Sequence, residues 1–510
     1  MAQAALEIPD DIDVLICGGG TAGAALAGII ARDTDQRVVV LEAGPDYGRL
    51  SDNRWPADLL DARRIPDTHQ WGYSGSTHRA HTHATRFEHA RVIGGCSAHN
   101  GCVALLGHRR DYDAWAELGN VGWDWESVAP AFERARAGLR VRQVPAAEVT
   151  PYHAAFIEAA IAAGVPLSSD MNDPDEDTGV AASPVNISDG VRWNTALGYL
   201  DPVRDRPNLT VVGDALVDRV EIDNGRAIAV HAIVNGQPVH IAARRIVLSG
   251  GAYGSPAILL RSGVGPANEL HDLGIAVTHD LPGVGKSLAD HPAVNFRYRA
   301  SPQLDDAMDA FRASSWTPDE QSLAKVRSSR CREAFDLHLY AVAGWRMDNG
   351  SLEYAVAVSS VYPRSLGQLT LTSADPAAPP RIEHNYLSDL DGDDIDVLLD
   401  GAELTRSIMA KPIRDGLLEE ETWPGKNVQT RAQLRQWIEQ TVGIYYHPAS
   451  SCRMGPAADP NAVVDASGKV HGVEGLYVCD ASIFPTLMRA NTNLPTVMLA
   501  EHLATVIATN

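Results

Sequence analysis

The feature that most constrains the fold is a glycine-rich turn near the amino terminus. Residues 13–17 read DVLIC, the pattern of a buried parallel strand. The turn that follows, GGGTAG, fits G-x-G-x-x-G at Gly18, Gly20 and Gly23, and residues 22–31 then predict a small-residue helix. Glycines permit the tight turn, and free amides at the start of a helix can hold a pyrophosphate. The segment therefore predicts a dinucleotide-binding turn.

A second strand and an acidic residue strengthen this interpretation. Residues 37–41 read RVVVL and lead directly into Glu42. At the tip of that strand a carboxylate can accept hydrogen bonds from a ribose diol, whereas an ordinary tight turn would not need an acid there. The motif does not distinguish NAD from FAD.

Length and charge narrow the class of protein. A chain of 510 residues is too long for one ordinary core, so we expect two or more packed domains. The formal charge of −22 makes nucleic acid an unlikely partner on electrostatic grounds and is compatible with cationic or neutral substrates.

The sequence shows no pattern typical of a signal peptide, a membrane span or a cysteine metal site. The first residues lack the basic and apolar regions of a signal peptide, and glycines interrupt the apolar stretch at 14–31, which predicts strand, turn and helix and no membrane span. The six cysteines are scattered without paired metal spacing. We therefore expect a cytoplasmic protein with free thiols and no metal.

Four segments resemble, in the same order, those of the glucose–methanol–choline (GMC) oxidoreductases. They are ARVIGGCSAHN at 90–100, the strand and glycine-rich segment at 245–265, PGVGKSLADH at 282–291 and GLYVCDAS at 475–482. Any single glycine-rich segment could reflect packing, but four in order make coincidence improbable. Three positions depart from the usual pattern: Cys96, His99 and Ser287.

The resemblance implies bound FAD in a Rossmann-like domain. On the matching positions, the residues implied to contact FAD are Gly18, Gly20, Thr21, Ala22, Gly23, Glu42, Ala43, Arg91, Gly94, Gly95, Cys96, His99, Asn100, Gly101, Val103, Val217, Ser249, Asp480, Ala481, Asn491 and Thr492.

The role of His99 stays open between two interpretations. A metal site lacks partner ligands at useful spacing. Two interpretations of His99 remain: a buried, hydrogen-bonded histidine, or covalent attachment to the flavin ring methyl. In the few relatives with histidine at this position that residue carries the flavin, so the resemblance favours covalent attachment.

The resemblance also implies a catalytic pair. His447, in the segment YYHPASSCRMG, matches the active-site histidine, and alignment on the NLPT ending selects Asn491 over Asn493 as its partner. Asn493 fits a helix-capping role better. An imidazole is a suitable proton acceptor near neutrality. In the implied mechanism His447 accepts the hydroxyl proton of an alcohol, Asn491 holds the oxygen, and hydride passes to flavin N5.

Two classes of substrate remain in competition. A choline-type substrate would use an aromatic box around its quaternary ammonium, with Trp55 and Tyr446 and with Trp345 as a further candidate. A sugar or glycoside, including a C-glycoside, would need a polar wall, for which the candidates are Asp336, His338, Arg346 and Asn349. A solvated face is an equally good explanation of the alternation that places Asp336 and His338 beside Tyr340. We favour the sugar or glycoside interpretation.

The implied architecture is α/β, with a discontinuous FAD-binding domain and a substrate domain on an antiparallel sheet flanked by helices. We place the first at 1–155, 208–295 and 455–510, and the second at 156–207 and 296–454. Residues 301–330 are expected to form a mobile segment or lid.

The implied partners are a small-molecule alcohol and an electron acceptor. Oxygen, giving H2O2, is favoured over a quinone or dye, and an oligomer is possible. A non-redox flavin lyase and a catalytically silent flavoprotein are the alternatives from other classes.

Overall fold

A computed structural model describes residues 8–346 and 352–509. The strands, in chain order, are β1 Val14–Cys17, β2 Val38–Leu41, β3 Tyr73–Ser76, β4 Thr85–Phe87, β5 Gly179–Ala182, β6 Ile187–Ser188, β7 Val191–Arg192, β8 Leu209–Val212, β9 Ala215–Asp223, β10 Arg226–Val234, β11 Gln237–Ala242, β12 Arg245–Leu248, β13 Val264–Gly265, β14 His279–Asp280, β15 Pro292–Ala300, β16 Glu320–Val326, β17 Leu337–Arg346, β18 Leu352–Ser360, β19 Gln368–Thr370, β20 Arg381–Glu383, β21 Leu418–Trp423, β22 Gly443–Ile444 and β23 Leu476–Val478.

The α-helices are α1 Thr21–Asp33, α2 Ala57–Leu60, α3 Arg109–Glu117, α4 Trp125–Gly138, α5 Pro151–Ala162, α6 Gly251–Arg261, α7 Ala267–Asp272, α8 Pro302–Ser314, α9 Asp393–Arg414, α10 Arg431–Thr441 and α11 Asn493–Thr509.

A five-stranded parallel sheet in the order β23-β12-β1-β2-β8 carries the predicted nucleotide turn. Its central strands are buried along their whole length because both faces of the sheet are covered, which is why they read as unbroken apolar runs. Helix α1 packs on α11, and α11 packs on α4. The predicted Rossmann-like α/β architecture is confirmed.

An antiparallel sheet in the order β21-β15-β18-β17-β16-β5, with β22 paired to β15, forms the second layer. One face packs on helices α5 and α9, around a separate apolar core that includes Phe296, Leu339 and Leu398. A smaller antiparallel sheet, β11-β10-β9, is inserted in the chain between strands β8 and β12 of the parallel sheet. The predicted antiparallel sheet is thus present, while the domain boundaries stay a prediction.

Residues 301–330, which we expected to form a mobile segment or lid, contain a helix and a strand. Residues Pro302–Ser314 form helix α8, which Ser301 caps by accepting a hydrogen bond from the amide of Leu304. Residues Glu320–Val326 form a strand buried between β17 and β5. A composition rich in aspartate, serine and alanine suits a capped amphipathic helix as well as a loop, which misled the sequence interpretation.

Across the part of the chain that the structure describes, no helix has both the length and the apolar character needed to cross a bilayer.

Candidate active site

One cavity of about 1040 Å³ receives residues from both large sheets. The carboxyl ends of the parallel strands meet at one edge of their sheet, where α/β folds bind ligands. Of the residues predicted from the sequence, those that line this cavity are Gly18, Gly20, Thr21, Ala22, Glu42, Ala43, Arg91, Gly95, Cys96, His99, Asn100, Gly101, Val103, Val217, Ser249, Tyr446, His447, Asp480, Ala481, Asn491 and Thr492.

The nucleotide turn is shaped by backbone approach. A Cβ on Gly23 would collide with the carbonyl oxygen of Gly18, and one on Gly18, at φ +113°, would collide with the carbonyl of Ser249. Only glycine allows the start of α1 to lie this close to β1 and β12. Gly23 therefore packs against Gly18 on the side of the turn away from the cavity, and it does not make the predicted cofactor contact.

Glu42 is held in place at the end of β2. Its carboxylate accepts hydrogen bonds from the amides of Gly19 at 2.9 Å and Gly44 at 2.8 Å and is 6% exposed. Burial raises the pKa of Glu42, against the effect of those two amides. A carboxylate has further acceptor capacity for a ribose diol, and the turn offers free amides to a pyrophosphate, so these residues fit a dinucleotide.

The GGCSAHN segment packs directly on the nucleotide turn. The amide of Gly94 donates to the carbonyl of Gly19 at 2.7 Å, and a Cβ on Gly95 would lie 2.6 Å from the Cα of Gly20. Gly94 itself, at φ +84°, lies behind the cavity wall, contrary to its predicted cofactor contact. The small residues are needed because two backbones meet here.

His99 lies in the cavity wall with a buried hydrogen bond, so the structure combines features of both interpretations of this residue. Its Nε2 lies 2.9 Å from the carbonyl oxygen of Thr68, and the side chain is 5% exposed. Burial lowers the pKa of His99 to about 4. The imidazole is therefore neutral near pH 7 and keeps one unshared electron pair.

A second nucleophile, the Cys96 thiol, lies in the same wall. Its Sγ is 3.7 Å from Nδ1 of His89, which also lines the cavity. Burial opposes ionisation of the thiol, but the charge and hydrogen bond of the His89 imidazole outweigh it and lower the pKa of Cys96. Cysteine at this position therefore adds a reactive group to the wall.

His447 and Asn491 meet at the far end of the cavity. The amide nitrogen of Asn491 lies 3.1 Å from His447 Nε2, and Nδ1 of His447 lies 2.9 Å from Nδ1 of His291. An amide nitrogen can only donate, so Nε2 is the acceptor and the proton of His447 sits on Nδ1. Burial lowers the pKa of His447 well below its usual value, helped by His291 and His338. The ring is therefore neutral near pH 7, and its unprotonated Nε2 can accept a proton.

A buried carboxylate, Asp290, fixes the backbone beneath the pair. One oxygen accepts the amides of His447 at 2.9 Å and His291 at 2.8 Å, and the other accepts the Tyr386 hydroxyl at 2.8 Å. Burial raises the pKa of Asp290 to about 7, against these hydrogen bonds. Sequence reasoning placed Asp290 and His291 only within a family-like segment and did not predict their role.

The wall near His447 contains further side chains, of which sequence reasoning missed Glu320 and Tyr445. Glu320, Tyr340 and Tyr445 line the cavity together with Tyr446, and the Tyr340 hydroxyl donates to the Glu320 carboxylate at 2.7 Å. Burial raises the pKa of Glu320. The alternation of residues 336–340 pointed to Tyr340, but Glu320 belonged to the segment interpreted as a lid.

Three predicted substrate residues lie elsewhere. Trp55 packs on Tyr47 and donates its indole N–H to the carbonyl of Gly48, outside the cavity lining. Asp336 accepts hydrogen bonds from the amide and hydroxyl of Ser328, and His338 is buried against Phe335.

The assignments of Asp336 and His338 were wrong because strand alternation cannot tell a cavity wall from a packed interior. Trp55 was chosen as part of an aromatic box and not from alternation, and its indole is instead bonded to the carbonyl of Gly48. Three further candidates are not placed: Asn349 lies outside the described residues, and of Trp345 and Arg346 only the backbone is described.

Known proteins resemble the chain over nearly its whole length. The GMC oxidoreductase family matches residues 12–293 with its amino-terminal part and 363–500 with its carboxy-terminal part. Mitochondrial choline dehydrogenase of Homo sapiens is 32% identical, covering 99% of this chain and 91% of that protein. An oxygen-dependent choline dehydrogenase of Pseudomonas aeruginosa is 36% identical, covering 97% and 94%. The crystal structure of pyridoxine 4-oxidase from Mesorbium loti superimposes with a TM-score of 0.86 at 27% identity, covering 97% and 99%.

Asp290→Asn tests the protonation of the buried carboxyl. Asparagine keeps the acceptor for the two amides and cannot ionise. In the wild-type protein, protonation of Asp290 in the folded state contributes to stability. That stabilisation is fully present below the unfolded pKa of about 4 and is lost as pH rises through the folded pKa of about 7. The Tm of the variant relative to wild type should therefore rise between about pH 4 and pH 8.

Thermal unfolding across that range measures the difference. Asp67→Asn, at a carboxylate whose side chain is 95% exposed, is the matched control and should follow wild type. A difference in Tm between Asp290→Asn and wild type that stays constant with pH contradicts the assignment.

Proposed function

The chain belongs to the GMC oxidoreductases, FAD-dependent enzymes that oxidise alcohols, and from that premise we propose that its substrate is a choline-type alcohol, with a primary hydroxyl and a quaternary ammonium group. The observation that carries this proposal is the buried Glu320 carboxylate in the same cavity as His447. A buried anion is stabilised by a cation brought next to it. This replaces the preference for a sugar that the sequence suggested.

The tyrosines add a second element of ammonium recognition. Tyr340 and Tyr445 have ring centroids 6.3 Å apart with perpendicular planes, and Tyr446 follows Tyr445 in the same wall. Aromatic faces attract quaternary ammonium groups through their negative electrostatic potential. These three rings supply the aromatic faces that Trp55 was expected to supply, and Glu320 adds a negative charge.

In the proposed reaction His447 and Asn491 act on the substrate hydroxyl. The unprotonated Nε2 of His447 accepts the hydroxyl proton, and the Asn491 amide donates to the same oxygen as negative charge develops. Asp290 and His291 hold the ring so that Nε2 faces the cavity. Bound FAD supplies the hydride acceptor at the flavin.

A glycoside hydroxyl is the second candidate, favoured by the remaining polar wall. Asn295, Asp319, Arg63 and Arg64 line the cavity in addition to Glu320. Trp71 also lines the cavity, but its ring stacks on Tyr73 and lies under the guanidinium of Arg91. Because Arg91 donates to the carbonyl of Ala43, Trp71 belongs to the nucleotide side of the cavity. The electron acceptor, oxygen or a quinone, is common to both candidates.

His447→Ala should retain FAD and lose flavin reduction. Removing the proton acceptor lowers the rate of anaerobic bleaching by substrate by roughly two to four orders of magnitude. Visible absorbance checks that FAD stays bound. Exposed His83→Ala is the control and should bleach at the wild-type rate. Reduction of the His447→Ala flavin at the wild-type rate would show that another group takes the proton.

Glu320→Gln distinguishes the substrate candidates. The probes are choline, its uncharged analogue 3,3-dimethylbutan-1-ol, glucose and a C-glycoside, each followed by anaerobic flavin bleaching. If the ammonium pairs with Glu320, the variant raises the choline concentration that gives the half-maximal bleaching rate by roughly 10- to 100-fold and leaves that of the uncharged analogue nearly unchanged. Bleaching by a sugar or C-glycoside but not by choline overturns the choline-type proposal in favour of the second candidate.

We also propose that His99 carries the flavin covalently, since it combines a neutral imidazole with a place in the cavity wall. Acid precipitation of the holoenzyme should leave the yellow colour in the pellet, and His99→Asn should release it to the supernatant. Cys96→Ser is the matched control for the neighbouring thiol and should keep the colour in the pellet. Complete release from the wild-type protein excludes the linkage.

A further inference from the structure

We propose that Glu221, His231 and His240 form a binding site for a divalent transition-metal ion on the outer face of the β9–β10–β11 sheet. The three residues come from three adjacent strands, and their ligand atoms all lie within 4.8 Å of one another. The site is separate from the cavity. It departs from the sequence analysis, which expected no metal.

Sheet register brings the two histidines together. His231 on β10 pairs directly with His240 on β11, and their ring centroids are 5.0 Å apart. On the other side of β10, Glu221 on β9 pairs with Ala229, two residues from His231 and therefore diagonal to it on the same face. All three side chains are therefore positioned by paired strands, and none of them depends on a loop.

The separations fit a small ion. Glu221 Oε2 lies 3.1 Å from His231 Nε2 and 2.8 Å from His240 Nε2. Two ligands of a tetrahedral zinc ion, each about 2.0–2.1 Å from the metal, lie roughly 3.3 Å apart. Small rotations of partly exposed side chains thus replace two hydrogen bonds to the carboxylate by three bonds to a metal.

The donor set defines the class of ion. Two imidazole nitrogens and one carboxylate oxygen suit Zn²⁺, Ni²⁺ and Cu²⁺ rather than Ca²⁺ or Mg²⁺, which prefer oxygen ligands. The exposed side leaves at least one position for water, as in three-ligand zinc sites. The charge of −22 on the chain favours a divalent cation.

A bound ion would tie together three strands near the nucleotide end of the cavity. Strand β9 carries Ala215, Leu216 and Val217, which line the cavity, and Glu221 lies four residues beyond Val217 on that strand. A ligand that binds only the folded state stabilises it by mass action. We expect Zn²⁺ to raise the Tm of the holoenzyme.

The test is calorimetric titration of Zn²⁺ into tag-free holoenzyme freed of metal by a chelator. One ion per chain should bind, and His231→Ala, His240→Ala and Glu221→Gln should each weaken binding at least about 10-fold and abolish the rise in Tm. His83→Ala, at an exposed histidine elsewhere, should bind as wild type. Cu²⁺ should bind more tightly than Zn²⁺.

Two outcomes overturn the proposal. One is the absence of saturable binding up to roughly 0.1 mM Zn²⁺. The other is one-to-one binding that the His231 and His240 variants leave unchanged, which would place the ion elsewhere. Both histidines are at least partly exposed, so these variants should fold, and their circular dichroism and FAD absorbance verify that.

Discussion

The close contact of two glycine segments is the constraint on which the rest of the cavity depends. The turn at 18–23 and the loop at 94–101 meet through Gly19 and Gly94 and through Gly20 and Gly95, with no side chain between the backbones. A side chain on Gly95 would push the loop away from the turn, because its Cβ would lie 2.6 Å from the Cα of Gly20. The loop would then lose the position that brings His99 and Asn100 to the cavity.

The same loop reaches the other end of the site. A Cβ on Gly101 would collide with the Glu320 carboxylate, so glycine there allows the buried acid to lie against the loop. One short segment therefore contacts the nucleotide turn through Gly95 and the substrate side through Gly101.

Sequence reasoning predicted the parts of the site whose chemistry is local. Gly18, Glu42 and the strands around them were predicted from a local pattern of strand, glycine turn, helix and acidic residue. His447 and Asn491 were predicted from family motifs. Glu320, His291 and Trp55 depend on which face of a strand or loop meets a cavity formed by distant segments. Alternation gives the period of a strand but not what covers each face, so Asp336 and His338 were placed in a wall when they are packed inside.

Burial has opposite consequences for the two ionisable groups that bear on chemistry. It lowers the pKa of His447, which leaves Nε2 unprotonated and able to accept a proton, and it raises the pKa of Glu320, which weakens an anionic anchor. The Tyr340 hydroxyl offsets part of that effect. A quaternary ammonium beside Glu320 would offset more, because an opposite charge at close range favours the ionised carboxylate. Substrate charge and the ionisation of Glu320 are then coupled, so a cationic alcohol creates the anion that binds it, whereas a neutral sugar meets a carboxyl group that burial favours in its protonated form.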